Sequence, residues 1–181
     1  MTTIRTSLDL LKRLSLAFLI VAVASTAHAA RWELENGMAI TPPAVTSSNI
    51  LQLEIGCGDP YHIAVFAEHG PVLTKDGRGE PDYFYERGRI LAVIDGSEFP
   101  LVAAGSGDAV ILLSEGPAED NYLADIDEEF IEALLNGSEL LLRFDLLPEN
   151  AADDSPYETY ALFALAGGRE LIEEALKECR H

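Results

Sequence analysis

The stretch RILAVIDGSEFPLVAAGSGDAVILLS, residues 89–114, decides the fold. Three apolar runs, Arg89 to Ile94, Glu98 to Ala104 and Asp108 to Ser114, are separated by Asp95-Gly96 and by Gly105-Ser106-Gly107. Each run is shorter than an ordinary helix and is bounded by residues that accept a positive φ. The reading is three strands joined by tight turns, an antiparallel meander.

Working upstream, Tyr61 to His69 reads as another strand, with Ile63 and Val65 alternating against His62, Ala64 and Phe66. It is the hairpin partner of a strand from about Asn49 to Cys57, across Gly58-Asp59-Pro60. In that strand Leu51, Leu53, Ile55 and Cys57 share one face by the period of two. Before it come a short strand from Trp32 to Glu35, the turn Asn36-Gly37 and a Pro42-Pro43 loop. Residues 70–88, punctuated by Gly70-Pro71, Asp76-Gly77 and Glu80-Pro81-Asp82, read as a mobile loop with an aromatic tip or edge at Tyr83-Phe84-Tyr85.

Downstream, Asp127 is placed to cap a short helix through Leu135, whose apolar stripe is Phe130, Ile131, Leu134 and Leu135. Asn136-Gly137 ends it. Glu139 to Leu146 is a leucine-rich strand, 148–156 a polar acidic loop, Tyr157 to Leu165 a further strand, and Gly167-Gly168 opens a last helix to about Cys179. Strands dominate, helices come late, and the regular strand–helix alternation of a parallel sheet is missing. The fold class expected is α+β, an antiparallel sheet or small sandwich with two late α-helices.

The first 29 residues read as a secretory signal peptide: Arg5, Lys12 and Arg13 precede an apolar run from Leu14 to Ala24, and Ala27-His28-Ala29 offers a cleavage site. That leaves residues 30–181 as a single acidic domain, periplasmic or secreted, with no membrane span after cleavage. The full chain carries 12 basic and 31 acidic residues, a net charge of −19. Without the signal the balance is 9 against 30, or −21. Such a field repels nucleic acid and anionic lipid and suits a cationic partner, although it also serves plain solubility.

In an oxidising compartment the two cysteines, Cys57 and Cys179, are expected to pair. Leu171, Ile172, Ala175, Leu176 and Cys179 recur at helical spacing, so both sulfurs face the core. The bridge would tie the last helix to an early strand. Nothing in the spacing resembles the close CxxC pair of a redox centre.

No motif for catalysis stands out. Gly105-Ser106-Gly107 has strands on both sides and lacks the strand-to-helix setting of a nucleophile elbow. His62 and His69 lack zinc-ligand spacing. The acids Asp120, Asp125, Asp127 and Glu128, with Glu115, Glu119 and Glu129, are candidates for a calcium site, although no EF-hand loop is present. No pair among the many carboxylates is marked out for glycoside hydrolysis, and no cofactor is indicated. Tyr83, Phe84, Tyr85, Arg87 and Arg89 combine aromatics with positive charge, a composition found in interface hot spots.

The run Gly137 to Phe144, the polar loop after it, Tyr160 to Gly167 and the helix ending in Cys179, with an early Trp32 and a mid-chain Cys57, resemble small periplasmic two-cysteine proteins of Gram-negative bacteria. That group includes accessory proteins associated with type VI secretion. The resemblance implies fold and compartment, and brings no catalytic residues with it. The functional expectation is an exported accessory or binding protein, without catalysis, that engages a cationic protein such as a lysozyme-like cell-wall enzyme. The alternatives are a carboxylate-dependent hydrolase and a calcium-stabilised structural protein.

Overall fold

Asn36 and Gly37 take φ of 51° and 83°, the doubly positive geometry that turns two strands tightly back on each other. They join β1 (Glu33–Glu35) to β2 (Met38–Thr41) in a computed structural model that describes residues 31–79 and 83–180. The expected signal peptide and Glu80-Pro81-Asp82 lie outside the described residues. β2 is a strand that the sequence reading passed over, because four residues running into Pro42-Pro43 leave little periodicity to see.

After β3 (Val45–Thr46) come β4 (Ile50–Cys57) and β5 (Tyr61–Ala67), paired from Cys57↔Tyr61 to Ile50↔Ala67. The expected shared face for Leu51, Leu53, Ile55 and Cys57 fails at its first member. The register shifts between Ile50 and Gln52, so one extra residue is accommodated and Leu51 is turned outward at 53% exposure while Ile50 and Leu53 both point in.

The meander forms as read, as β6 (Ile90–Ile94), β7 (Ser97–Ser106) and β8 (Ala109–Glu115). A two-residue β9 (Leu123–Ala124) pairs with β8. Helix α1 (Glu128–Asn136) follows, then β10 (Glu139–Phe144), β11 (Thr159–Ala164) and α2 (Arg169–Ala175). α1 buries Phe130, Ile131, Leu134 and Leu135, the stripe its spacing predicts. Asp127 is its N-cap residue, with no side-chain cap bond. Gly168 is the N-cap of α2, at a position where a side chain would run into the Trp32 ring, and the helical turns stop at Ala175, short of the expected end near Cys179.

All named strands belong to one antiparallel sheet in the order β1-β2-β4-β5-β8-β7-β6-β10-β11-β3, with β9 off this path. The connection between Thr41 of β2 and Val45 of β3 fixes its shape. Four residues reach at most about 14 Å. In a flat sheet, the eight strand spacings separating β2 from β3 would amount to about 38 Å. The sheet therefore curls into an incomplete barrel until its two ends meet at residues 41–47. The free edge of β11 is sealed there: Ala44 N–H donates to Leu162 O at 2.7 Å and Ser47 N–H to Tyr160 O at 3.0 Å. Further along the same edge, the Trp32 indole N–H donates to Ala164 O at 3.0 Å.

One hydrophobic cluster fills the inner side, drawing on the inward residues of the strands and on Phe130, Ile131, Leu134, Ile172 and Leu176 of the two helical segments. α2 packs against β1, β2, β4 and α1. The Cys57–Cys179 disulfide, with Cα atoms 5.6 Å apart, fixes the end of this segment to β4. Closing 122 residues of chain, the bridge contributes about 4–5 kcal/mol in the chain-entropy account.

Candidate functional site

An antiparallel sheet with one face in water normally alternates apolar and polar residues. β6, β10 and β11 do not. Their inner faces carry Ile90, Ala92 and Ile94, then Leu140, Leu142 and Phe144, then Ala161 and Phe163, all buried. Their outer faces carry apolar residues too, with Glu139 and Arg143 on β10 as the charged exceptions. The register lines up Val45, Leu162, Leu141 and Val93 as one row across β3, β11, β10 and β6, ending at Glu98 on β7. Val45 is 51% exposed, and Leu162, Leu141 and Val93 are half-buried. The helices contribute their apolar stripes to the inner cluster and so leave this row facing out.

The next register row runs from Tyr160 through Arg143 to Leu91 and Pro100, and it brings polar chemistry to the same face. The loop between β10 and β11 folds back over it. Arg143 Nη2 donates to Asp153 Oδ2 at 2.9 Å and to Ser155 Oγ at 3.0 Å, and the guanidinium lies 5.5 Å from the centre of the Tyr157 ring. A cleft of about 540 Å³ opens between Leu141, Arg143, Tyr157, Tyr160 and the turn at 151–153. Its electrostatics are acidic around a neutralised arginine. Burial raises the Tyr157 phenol above its usual range, and the carboxylates of Asp145, Glu115 and Glu98 add to that rise while Arg143 opposes it. Asp153 is held down at about 2, first by its hydrogen bonds from Ser155 and then by Arg143.

The aromatic and basic residues singled out from the sequence are divided between core and surface. Tyr83 is fully buried: its ring stacks on Phe84 at 4.5 Å and meets Phe144 edge-on, and its hydroxyl accepts the Val72 N–H at 2.8 Å. Phe84 is half-buried against Gly105, so the expected aromatic tip is an anchor driven into the core, and Tyr85 alone of the three is exposed. Arg87 pairs with Glu115 at 2.9 Å and lies 5.4 Å from the Tyr122 ring centre, and Arg89 pairs with Asp145 at 3.5 Å. These pairs place Arg87 and Arg89 beside the carboxylates that surround Tyr157, which no spacing in the sequence foretold.

The calcium candidates do not converge. Asp120, Asp125, Asp127 and Glu128 are all exposed, and Glu128 accepts the Tyr61 hydroxyl instead. Among the described residues, no group of three or more His, Cys, Asp and Glu is placed to hold a metal ion. A hydrolase of the two-carboxylate kind needs an acid whose pKa is raised. Among the described residues, the carboxyls displaced from their ordinary range, Asp76 and Asp153, are both held below it. Gly105 and Ser106 extend β7, paired with Val110 and Ala109, and the β7–β8 turn is Gly107-Asp108, with a strand on each side as expected.

The outer row did have a signal in the sequence. ILAVI, ELLLRF and TYALFA are apolar at consecutive positions, the pattern of strands covered on both faces, in a sheet whose helices are too few to cover both. Among the described residues no helix is long and apolar enough to cross a membrane. Comparison with known proteins finds no family model, no curated protein and no solved structure that matches the chain.

Proposed function

We propose that this chain is an exported accessory protein that acts by binding, and that the outer face of β3, β11, β10 and β6 docks a cationic protein. The observation that carries this reading is the apolar row Val45–Leu162–Leu141–Val93, continuous over four strands and bordered by Glu98, Glu139 and Asp153.

Magnitudes support a charged partner. Completing the burial of five half-exposed aliphatics, Leu91 included, returns on the order of 5 kcal/mol. Association costs about 4–15 kcal/mol in lost freedom, so the row alone gives a weak complex. Electrostatic attraction to a basic surface supplies the remainder and speeds encounter. A second copy is the wrong occupant, since two chains of net charge −19 repel each other.

The test is affinity capture from the chain's own compartment at low and moderate salt, with the oxidised protein and a Leu141→Asp/Leu162→Asp variant as parallel baits. The expected result is a basic protein held by the wild type, released by moderate salt and missing from the variant. Retention of the same proteins by both baits, or by an unrelated acidic control, overturns the reading.

A further inference from the structure

We propose that the cleft bounded by Arg143, Tyr157, Tyr160 and the 151–153 turn is a socket for an arginine side chain of the cationic partner; this rests on the docking reading above. Leu141 belongs both to the apolar row and to the wall of the cleft, so one partner can cover the row and fill the socket together.

Three features of the cleft select a guanidinium. The molecule already uses tyrosine rings as guanidinium platforms, with Arg143 on Tyr157 in the cleft and Arg87 on Tyr122. Tyr160, the register partner of Arg143, adds a further ring at the cleft wall and is 39% exposed. Second, Asp153 retains acceptor capacity. Its Oδ2 takes Arg143, its Oδ1 takes the Ser155 N–H and the Ser155 hydroxyl holds the carboxylate as well, which leaves about one of a carboxylate's roughly four lone-pair sites for an incoming guanidinium N–H. The Asp153 side chain is 60% exposed and reachable. Third, Glu158 adds a second carboxylate to the cleft lining beside Asp153, so the cleft favours a cation.

An anion would have to displace Asp153 from Arg143 against the net charge of the whole chain. Lysine is the poorer guest, because its compact, strongly hydrated ammonium stacks less well on an aromatic face than a planar guanidinium does. The trough of about 580 Å³ between Lys75, Arg78, Glu149 and Asn150 has no aromatic wall, and its Asp76 is already engaged by Thr74 and Arg78.

The experiment titrates the oxidised full protein with hexa-arginine amide and with hexa-lysine amide, by calorimetry and by NMR of the tyrosine rings. The arginine peptide should bind about fivefold more tightly than the lysine peptide, the size of a single cation–π preference, and should shift the Tyr157 and Tyr160 rings. Tyr157→Leu and the surface change Asp153→Asn should each weaken the arginine peptide by about fivefold, whereas Glu170→Gln and Glu178→Gln on and beside α2 should leave it within about twofold. Equal affinity for the two peptides, absence of ring shifts, or equal losses in the α2 variants each overturn the socket. The docking reading is decided separately by a Val45→Asp/Val93→Asp bait, whose changes lie in the row but outside the cleft, so a partner held by the wild type and lost from that bait beside a failed socket shows that the socket alone was wrong.

Discussion

The loop between β5 and β6 and the loop between β10 and β11 have opposite roles, and only the first carries glycines and basic residues. Both are rich in Pro and charge, and each carries a tyrosine whose phenol is pushed above its usual range. For Tyr83 the cause is burial, opposed by the hydrogen bond from Val72. For Tyr157 burial is joined by the carboxylates of Asp145, Glu115 and Glu98. The first tyrosine welds its loop to the core through Phe84 and Phe144; the second holds its loop to the outer face through Arg143. A tyrosine in a polar loop thus reports on nothing until its neighbours are known, because the same ring serves as a wedge in one setting and as a platform in the other.

The comparison is broken most severely by cutting the Cys57–Cys179 bridge, whose 122-residue span encloses both loops. Reduction, or the double change Cys57→Ala/Cys179→Ala, should lower stability in denaturant titration by about 4–5 kcal/mol. The difference between the two tyrosines should persist in that background.

That difference is the second prediction. Tyr83→Ala removes a fully buried ring and its contacts, and should cost about 3–5 kcal/mol in the same titration. Tyr157→Ala should cost roughly 1 kcal/mol or less, since its ring is half-buried and its partner Arg143 keeps Asp153 and Ser155. Similar losses at the two positions would erase the distinction between anchor and platform.

The smallest effect sharpens the second loop alone. Because the Asp153 carboxyl is depressed in the folded state to about 2, its tie to the loop is present above the unfolded value and fades as pH falls through about 2. Carboxyl-detected NMR titration should find that midpoint. Ser155→Ala should move it up toward the ordinary carboxylate range, and further than Arg143→Gln does. An unchanged midpoint in both variants would show that neither partner holds the turn at 151–153.

Much of the inner architecture was legible in the residues. Period-two alternation and Asp95-Gly96 mark the meander, and the spacing of Phe130, Ile131, Leu134 and Leu135 marks the buried side of α1. The pairing of Cys57 with Cys179 followed from two cysteines on two core-facing stripes. What escaped depends on tertiary contacts. A bulge such as the one at Leu51 adds one residue without a signature of its own, and the burial of Tyr83 depends on Phe144, sixty-one positions away. The cleft joins β10 and β11 to the loop between them, and the carboxylates of Glu98 and Glu115 that act on its Tyr157 sit on strands that only the sheet order brings near.

The short connection from Thr41 to Val45 has a consequence for time as well as shape. β3 can close the barrel only against Leu162 and Ala161, so a segment near the start of the chain has no edge to join until β11, more than a hundred residues later, has emerged. Pairings of such long range are entropically expensive and slow to form. A chain emerging from its N-terminus can assemble β4 through β8 as it appears, but the seam at residues 44–47 waits for β11, the last of the named strands. The closed state is reached only after β11 has been made, and up to then the outer row of β10 and β11 has no neighbour on its far side.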